Sequence, residues 1–232
     1  MSAPYDGRNA VVLGLGLTGF SLARHLAARG ARVTVADTRS APPFAGPLRD
    51  ALPRVPILTG PFAAATFDGA DLIAISPGVR RDEPAVAAAV ARGAELVGDI
   101  ELFARALPPG QKVLAITGSN GKTTVTALTG ALCRAAGLAT IVAGNIGNAV
   151  LDVLEPIVAG IGRRDWPDVF VLELSSFQLE TTASLRPTVA TVLNVTDNHL
   201  DRYAGLDDYA AAKRRIFAGG GMQVLNLSLI HI

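Results

Sequence analysis

Short apolar runs alternate with amphipathic stretches along the chain, and this alternation predicts an α/β fold. Buried strands are predicted at residues 10–13, 33–37, 71–75, 95–97, 112–116, 139–143, 169–172 and 189–195. Helices are predicted between them at residues 20–29, 84–92, 99–106, 125–136 and 207–217. Strands that alternate with helices at this spacing imply parallel sheets with right-handed connections. Residues 38–61 are rich in proline and polar residues and have only weak periodicity.

Residues 107–110 (LPPG) form the best candidate for a linker, and the α/β alternation restarts after them. We therefore expect two domains, residues 1–108 and residues 109–232. The first is predicted to be a Rossmann-like parallel sheet, and the second an α/β domain like that of the phosphate-loop NTPases. A chain of 232 residues is long enough for both.

Composition and charge narrow the classes of function. The formal net charge is +1, so bulk electrostatics suggest no nucleic-acid or membrane partner. Cys133 is the single cysteine, which excludes an internal disulfide and fits a reducing compartment. The N-terminus lacks the pattern of a secretory signal, and no apolar run approaches the length of a membrane span. We expect a cytoplasmic monomer.

The stretch AITGSNGKTT, from Ala115 to Thr124, carries the clearest chemistry. It joins a predicted strand to a predicted helix, and in this context backbone N–H groups and the helix dipole can bind phosphate. Lys122 supplies a positive charge for the outer phosphates, and the Thr123 hydroxyl can bind the accompanying Mg²⁺. The usual pattern has a glycine where this chain has Ile116, so an ordinary glycine-containing turn is the alternative.

Polar side chains follow four strands of the second predicted domain, namely Lys122, Asn145, Glu173 and His199. Ligands collect at the carboxyl ends of strands in open parallel sheets, so we expect these residues on one rim. Glu173 ends an apolar strand and can hold Mg²⁺, although a solvated loop glutamate is the alternative. His199 is explained equally well as a ligand and as a surface or helix-cap histidine. Lys213 lies on a predicted helix, where a lysine usually faces solvent.

A second glycine-rich turn, GLGLTG at residues 14–19, follows the first strand, and Asp37 ends the second strand. A turn of this kind with an acidic residue at the end of the next strand predicts a dinucleotide-binding fold. The pattern indicates that a phosphate or nucleotide approaches the turn, but it does not identify the nucleotide. Tight packing of strand against helix would also explain the glycines.

Taken together, these motifs resemble the Mur ligases of peptidoglycan synthesis, and among them the members that add D-glutamate. TGSNGKT is typical of the broad family, whereas ELSSFQLE together with GDIELF resembles the D-glutamate-adding members. The matching segments follow one another along nearly the whole chain: GLGLTG at 14–19, DTR at 37–39, SPG at 76–78, GDIELF at 98–103, TGSNGKTT at 117–124, GNIG at 144–147, ELSSFQLE at 173–180, NVTDNHLDRY at 194–203 and YAAAK at 209–213.

The resemblance implies an ATP-dependent, amide-forming ligase of cell-wall synthesis, and hence a role in cell shape and division. Its implied reaction adds D-glutamate to UDP-N-acetylmuramoyl-L-alanine through an acyl phosphate. The first domain would then bind the UDP part of the substrate rather than a dinucleotide. ATP and Mg²⁺ are the implied cofactors, and the implied partners are small molecules, with no nucleic acid and no membrane.

The resemblance also implies roles for individual residues. The implied catalytic residues are Lys122, His199 and Lys213. The implied ATP loop consists of Gly118, Ser119, Asn120, Gly121, Lys122, Thr123 and Thr124. The implied substrate contacts are Leu17, Thr18, Thr38, Arg39, Ser76, Pro77 and Gly78 for UDP, and Asn145 and His199 for the muramoyl part. The implied Mg²⁺ environment consists of Thr123, Glu173, His199 and, if it is carbamylated, Lys213.

The resemblance stops near residue 226, where the family continues towards a C-terminal domain that holds D-glutamate. We therefore expect a truncated or misread coding sequence, and a chain that binds the UDP substrate but turns over little. A nicotinamide-dependent oxidoreductase is one alternative, and it explains only GLGLTG and Asp37. A phosphate-loop NTPase that acts as a switch is a second, and it explains only the second domain. A sister ligase that adds another amino acid is the third.

Overall fold

The computed structural model describes residues 4–160, 166–199 and 201–227 of the chain. Leu200 of the NVTDNHLDRY segment and residues 228–232, where the predicted truncation falls, lie outside the described residues. The chain forms two compact units, Met1–Asp99 and Ile100–Ile232. Each unit contains a parallel sheet, and the two sheets confirm the predicted α/β fold class.

The first unit contains five parallel strands in the order β3-β2-β1-β4-β5. The strand order reverses at β1, so a crevice at the carboxyl ends of β1 and β4 is the expected place for a ligand. A 3₁₀ helix, Ala64–Phe67, precedes β4. The elements are β1 (Asn9–Leu13), α1 (Leu17–Ala28), β2 (Arg32–Asp37), α2 (Ala45–Ala51), β3 (Ile57–Thr59), β4 (Leu72–Ile75), α3 (Pro84–Ala91) and β5 (Glu95–Val97).

Burial explains which elements of the first unit the sequence predicted. All residues of β4 are buried, as is all of β1 except Asn9, because the strands at the centre of the sheet are covered on both faces. By contrast, Leu48 is the only buried residue of α2, and β3 has none. The segment from residue 38 to 61 therefore lacks the apolar periodicity that would have predicted α2 and β3.

The second unit has its strands in the order β10-β9-β6-β8-β7. β6, which leads into the phosphate-loop motif, lies between β9 and β8. A 3₁₀ helix, Arg215–Phe217, follows α8. The remaining elements are α4 (Asp99–Ala106), β6 (Lys112–Thr117), α5 (Lys122–Ala135), β7 (Thr140–Gly144), α6 (Val150–Gly160), β8 (Val169–Glu173), α7 (Ser176–Glu180), β9 (Val189–Val192), α8 (Leu206–Arg214) and β10 (Met222–Leu225).

From Ile100 onwards, α4 groups with the second unit. The carboxylate of Glu101, 2% exposed, accepts hydrogen bonds from the Ala183 and Ser184 amides at 2.7 and 2.8 Å, and from Ser184 Oγ at 2.6 Å. The ring of Phe103 meets Phe170 of β8 edge-on, with 5.1 Å between centroids. The domain boundary at residue 108 stays a prediction, since these contacts describe packing alone.

A glycine, rather than the leucines of α5, packs against β7. Leu128 and Leu132 are 56% and 62% exposed, whereas Gly130 is buried. A Cβ atom on Gly130 would lie 2.3 Å from Val142 Cγ2, so helix and strand approach more closely than a side chain would allow. Leu128 and Leu132 therefore do not lie on the buried side of α5.

Within the described residues of the second unit, three elements were not predicted, namely α6, α7 and β10. α6 contains Pro156, and α7 has only five residues. All four residues of β10 are exposed, so this strand has no buried face. Among the helices that the structure describes, none is long and apolar enough to cross a membrane.

Candidate nucleotide-binding site

The phosphate loop predicted from the sequence lies between β6 and α5. Gly121, the residue before α5, has a φ of +76°, a left-handed conformation that residues with a Cβ rarely adopt. α5 then begins at Lys122, and no side chain caps it. The N–H groups in the first turn of a helix have no partner within the helix, so this turn can bind an anion.

The connection that follows β9 holds the loop from one side. The Leu193 amide donates to Thr117 O at 2.9 Å, and the Ser119 amide donates to Asn194 O at 2.9 Å. The Asn194 side chain then accepts from the Asn120 amide at 2.8 Å and donates to Asn120 O at 3.0 Å. The hydrogen bonding between β6 and β9 therefore continues past both strands and into the loop.

Ser119 and Lys122 complete the internal contacts of the loop. Ser119 is 6% exposed, and its hydroxyl accepts a hydrogen bond from the Thr196 amide at 3.0 Å. Lys122 Nζ donates to Ser119 O at 3.0 Å, so its ammonium group lies over the loop. This position agrees with a lysine that can turn towards a phosphate.

Glu173, at the end of β8, lies beneath the first turn of α5. It is 2% exposed, which excludes the alternative of a solvated loop glutamate. Thr123 Oγ1 donates to Glu173 Oε2 at 2.9 Å, and Asn145 Nδ2 donates to Glu173 Oε1 at 3.0 Å. Both donors are neutral side chains. A buried carboxylate beside a hydroxyl is a donor set that suits Mg²⁺.

Lys213 is buried in the structure, and the solvated alternative is excluded. It is 1% exposed, its Nζ donates to Gly118 O at 2.8 Å, and it lies 4.4 Å from the ring centroid of Tyr209. Burial, followed by the nearby charge of Lys122, lowers the pKa of Lys213 to about 7. A substantial fraction of this amine is therefore neutral and nucleophilic near neutral pH.

His199 is exposed and lies beside an aromatic cluster. Its ring centroid is 4.7 Å from that of Phe177 and 6.0 Å from that of Tyr209. Its φ is +55°, and its carbonyl accepts hydrogen bonds from the Arg202 and Tyr203 amides at 2.9 and 3.1 Å. The structure thus places His199 beside Phe177 and Tyr209, whereas it joins Glu173 directly to Thr123 and Asn145.

The predicted Mg²⁺ set contains one carboxylate and one histidine beside a threonine and a lysine. Within the described part of the chain, no three His, Cys, Asp or Glu side chains are grouped as a metal site. Thr123 and Glu173 are in contact and fit Mg²⁺, because both offer oxygen ligands. Unmodified Lys213 offers a nitrogen rather than the oxygen ligands that Mg²⁺ prefers, so it fits the set only after modification.

The carboxylate of Asp37, in the first unit, accepts its hydrogen bonds from groups of the protein itself. It is 2% exposed and accepts hydrogen bonds from the Leu15 amide at 2.6 Å and from three nitrogens of Arg39 at 2.6 to 2.8 Å. The hydrogen bonds from the Arg39 side chain, and then those from the backbone, lower the pKa of Asp37 to about 2. A carboxylate has about four acceptor positions, so Asp37 is saturated. This disfavours the dinucleotide reading, which needs an acid that can bind a ribose hydroxyl.

The glycines of the GLGLTG turn have different roles. A Cβ on Gly19 would lie 1.7 Å from Gly14 O, and Gly14 itself has a φ of +83°. Tight packing therefore explains Gly14 and Gly19. A Cβ on Gly16, in contrast, would meet no atom within 4 Å. The fold does not require a glycine at position 16, where a ligand could approach the backbone most closely.

The predicted UDP contacts lie at three neighbouring strand ends of the first unit. One pair opens α1 after β1, a second pair follows β2, and the third group follows β4. The Ser76 hydroxyl donates to Gly14 O at 2.9 Å and so ties the third group to the glycine-rich turn. In chain order these residues are Leu17, Thr18, Thr38, Arg39, Ser76, Pro77 and Gly78.

Two domain models of one family match the chain in order. The model described as Mur ligase MurD-like, N-terminal domain, matches residues 8–98, and the model described as Mur ligase middle domain matches residues 116–228. The chain belongs to the Mur ligase family. The two matches fall one in each sheet-containing unit and include both glycine-rich turns.

Curated relatives of this Mur ligase chain share one name. The UDP-N-acetylmuramoylalanine–D-glutamate ligase of Thiobacillus denitrificans is 57% identical over 234 residues, which cover 95% of this chain and 49% of that protein. The ligase of the same name from Nitrosomonas europaea is 51% identical over 230 residues, covering 96% of this chain and 48% of that protein. The chain spans about half the length of the curated relatives it matches.

Solved structures of Mur ligases share the fold of the chain. The UDP-N-acetylmuramate:L-alanyl-γ-D-glutamyl-meso-diaminopimelate ligase from Neisseria meningitides has a TM-score of 0.60 and 22% identity, covering 97% of this chain and 72% of that chain. The UDP-N-acetylmuramate-alanine ligase from Thermotoga maritima has a TM-score of 0.54 and 21% identity, covering 94% and 48%. At these identities the likeness concerns the fold alone.

Sequence reasoning assigned no role to Asn194, which contacts the phosphate loop from outside through both its main chain and its side chain. The available signal was an amide residue just beyond Leu193, which follows the strand that pairs with β6. That signal becomes informative only once β9 is known to be the neighbour of β6.

Proposed function

We propose that the chain is the UDP-substrate- and ATP-binding part of a ligase that adds D-glutamate to UDP-N-acetylmuramoyl-L-alanine. The observation that carries this proposal is the contact of Thr123 and Asn145 with buried Glu173, directly beneath a phosphate loop. The name of the curated relatives supports the choice of substrate and amino acid. A monomeric, cytoplasmic enzyme that acts on small molecules is part of the proposal.

The proposed reaction begins when the substrate carboxylate attacks the γ-phosphate of ATP and gives an acyl phosphate. The amine of D-glutamate then displaces phosphate through a tetrahedral intermediate. Two anions meet in the first step, so positive charge must lower their repulsion. Lys122 and the N–H groups of the first turn of α5 are placed to do so. Mg²⁺, held by Thr123 and Glu173, would supply further charge neutralisation at the phosphates.

Lys213 is proposed as the second contributor of negative charge, in carbamylated form. Its neutral amine attacks the carbon of CO₂, so that a nitrogen–carbon bond forms while one carbon–oxygen π bond opens to O⁻, and the nitrogen loses a proton to water. The product is an anion that resembles a carboxylate and can act as a Mg²⁺ ligand, which the free amine cannot. Asn145 and His199 are proposed to lie near the muramoyl part of the substrate.

The first unit is proposed to bind UDP at the amino end of α1. The open space at Gly16 supports close approach of a diphosphate to the backbone, and the helix N-terminus favours its charge. The saturated carboxylate of Asp37 argues against NAD as the ligand. The residues proposed to contact UDP are Leu17, Thr18, Thr38, Arg39, Ser76, Pro77 and Gly78.

Calorimetric titration of the chain with three ligands tests the proposal. We expect saturable binding of UDP-N-acetylmuramoyl-L-alanine and of MgATP, and none of NAD. The variant Lys122→Ala should weaken MgATP binding at least tenfold and leave the UDP compound unaffected, because Lys122 lies only at the phosphate loop. Binding of NAD in place of the UDP compound would refute the proposed substrate, and equal MgATP binding by Lys122→Ala would refute the proposed ATP site.

A further inference from the structure

Asn194 contacts the phosphate loop with both its main chain and its side chain, and Thr196 contacts the loop from the same connection after β9. The paired strands end with Thr117 opposite Val192. Beyond this point, main-chain hydrogen bonds still join Leu193 to Thr117 and Ser119 to Asn194, both at 2.9 Å. A Cβ on Gly118 would lie 3.1 Å from Leu193 Cβ, so the two segments remain in contact.

After these main-chain hydrogen bonds, the next hydrogen bonds between the two segments come from the side-chain carboxamide of Asn194. Its Oδ1 accepts from the Asn120 N–H at 2.8 Å, and its Nδ2 donates to the Asn120 carbonyl at 3.0 Å. A primary amide is the side-chain group that can make both bonds at once, because it carries a donor and an acceptor on one carbon. Both polar groups of the Asn120 main chain are thereby fixed.

These two bonds bear on anion binding. A carbonyl that turned towards the phosphates would repel them, and the donation from Asn194 Nδ2 holds the Asn120 carbonyl at the side of the β9 connection. The loop thus has its binding conformation before any nucleotide arrives. Nucleotide binding therefore does not have to supply the free energy of ordering the loop. The contacts are local to the loop, since Asn120 itself is exposed and adds little to the core.

We propose that Asn194 is a positioning residue of the nucleotide site: its carboxamide fixes Asn120 and so holds the phosphate loop in the form that binds the phosphates of a nucleoside triphosphate. This role rests on the proposed function, because it requires a nucleotide at the loop. Asn194 does not touch the phosphates, and it acts through the backbone of Asn120.

The test compares the MgATP affinity of the unaltered chain, Asn194→Ala and the control Asn226→Ala. Asn226 is a suitable control because its Nδ2 donates to Leu193 O at 2.7 Å, next to Asn194 on the same connection. Asn194→Ala should weaken MgATP binding about tenfold, as expected from the loss of two hydrogen bonds. Asn226→Ala should bind within about twofold of the unaltered chain, and UDP-N-acetylmuramoyl-L-alanine should bind equally to all three.

A second variant and a spectroscopic measurement separate positioning from a general loss of stability. Asn194→Asp keeps the acceptor for the Asn120 N–H but cannot donate to its carbonyl when it is ionised. By NMR of the nucleotide-free protein, the Asn120 amide should therefore stay protected from hydrogen exchange in Asn194→Asp and lose protection in Asn194→Ala. MgATP binding should be weakened in both variants, because each loses the bond to the Asn120 carbonyl.

The outcomes distinguish this role from the proposed function. Failure of the unaltered chain to bind MgATP would overturn the proposed ATP site and this role with it. Binding of MgATP by Asn194→Ala within twofold of the unaltered chain would overturn the positioning role alone. Equal losses in Asn194→Ala and Asn226→Ala would also overturn it, since they would reflect general loosening of the connection.

Discussion

Asp37, Glu101 and Lys213 are charged residue types that are at least 98% buried, and they are accommodated in two ways. Asp37 is paired with Arg39 and Glu101 with Arg105, and each carboxylate also accepts hydrogen bonds from neighbouring groups. Lys213 has a pKa lowered to about 7, so it can remain buried by losing its proton. Burial of a charge is costly unless it is paired or neutralised, and these three residues show each solution.

The first prediction at this scale concerns Glu101 and acid stability. Burial alone would raise the pKa of Glu101, but hydrogen bonds from Ser184, Ala183 and Arg105 outweigh it and lower the pKa from 4.5 to about 2. The stabilisation is therefore complete above pH 4.5 and is lost as the pH falls towards 2. The second unit should lose on the order of 2 kcal/mol between pH 6 and pH 3 from this group. Glu101→Gln should flatten that dependence in urea unfolding followed by the fluorescence of Trp166.

Glu95→Gln is the matched control for this prediction. Glu95 pairs with Arg8 at 3.0 Å on the surface of the first unit, where ion pairs contribute little. The control should keep the same loss of stability in acid as the unaltered chain. An unchanged acid dependence in Glu101→Gln would contradict the role given to Glu101.

A second prediction concerns Lys213. In ¹³C-bicarbonate, the chain should show a carbamate carbon signal that grows as the pH rises through about 7, because the amine reacts only when it is neutral. Lys213→Met should abolish the signal while keeping most of the buried volume. Lys112→Met, at an exposed lysine, should retain it. A signal that survives in Lys213→Met would place the carbamate elsewhere.

At the scale of elements, two glycines of the turn between β1 and α1 are expected to affect different properties, one the stability of the first unit and the other its ligand affinity. Gly19→Ala would place a Cβ 1.7 Å from a main-chain oxygen and should destabilise the first unit by about 3 kcal/mol or more. Gly16→Ala meets no atom within 4 Å and should change stability by less than about 0.5 kcal/mol. We nevertheless expect Gly16→Ala to weaken binding of UDP-N-acetylmuramoyl-L-alanine at least tenfold, because the added methyl group occupies the proposed diphosphate position.

Circular dichroism during thermal unfolding and calorimetric titration measure the two effects separately. MgATP affinity serves as the control, since both substitutions lie in the first unit. Unchanged binding of the UDP compound by Gly16→Ala would argue that the diphosphate lies elsewhere. A fully stable Gly19→Ala would show that the turn can relax without cost.

At the scale of the whole molecule, the contacts of α4 indicate where the chain can be divided into two fragments. The contacts of Glu101 with Ser184 and of Phe103 with Phe170 join α4 to the second unit. A fragment of residues 99–232 should therefore unfold at higher urea than a fragment of residues 109–232. Burial of one phenylalanine contributes about 1.5 to 3 kcal/mol, so the difference should be at least that large. Fluorescence of Trp166 reports the transition in both fragments.

The complementary fragments of the first unit provide the control for this division. Residues 1–98 and residues 1–108 should unfold with similar stability if α4 belongs with the second unit. Equal stability of the two longer fragments, 99–232 and 109–232, would instead favour the predicted domain boundary at residue 108.

The amino-acid sequence by itself determined the alternation of strands and helices and the place of the chemistry along the chain. All residues of β4, and those of β1 after Asn9, are apolar because both faces of each strand are covered, and this pattern is visible without a structure. Lys122, Thr123 and Glu173 could be recognised as candidate binding residues because they follow predicted strands, and parallel sheets bind ligands at the carboxyl ends of their strands. α2, β3 and β10 were missed because lightly buried elements carry little periodicity.

Only the tertiary structure decided which groups meet. In the sequence, Asp37 has the position of an acid that binds a ribose, but in the structure its carboxylate accepts hydrogen bonds from Leu15 and Arg39. Lys213 looks solvated on its helix and is buried against Gly118, and Asn194 reaches Asn120 across 74 residues of sequence. Periodicity records whether a side chain faces the interior, but the partner it finds there depends on strand order. That order is set by packing between segments that are distant in the chain.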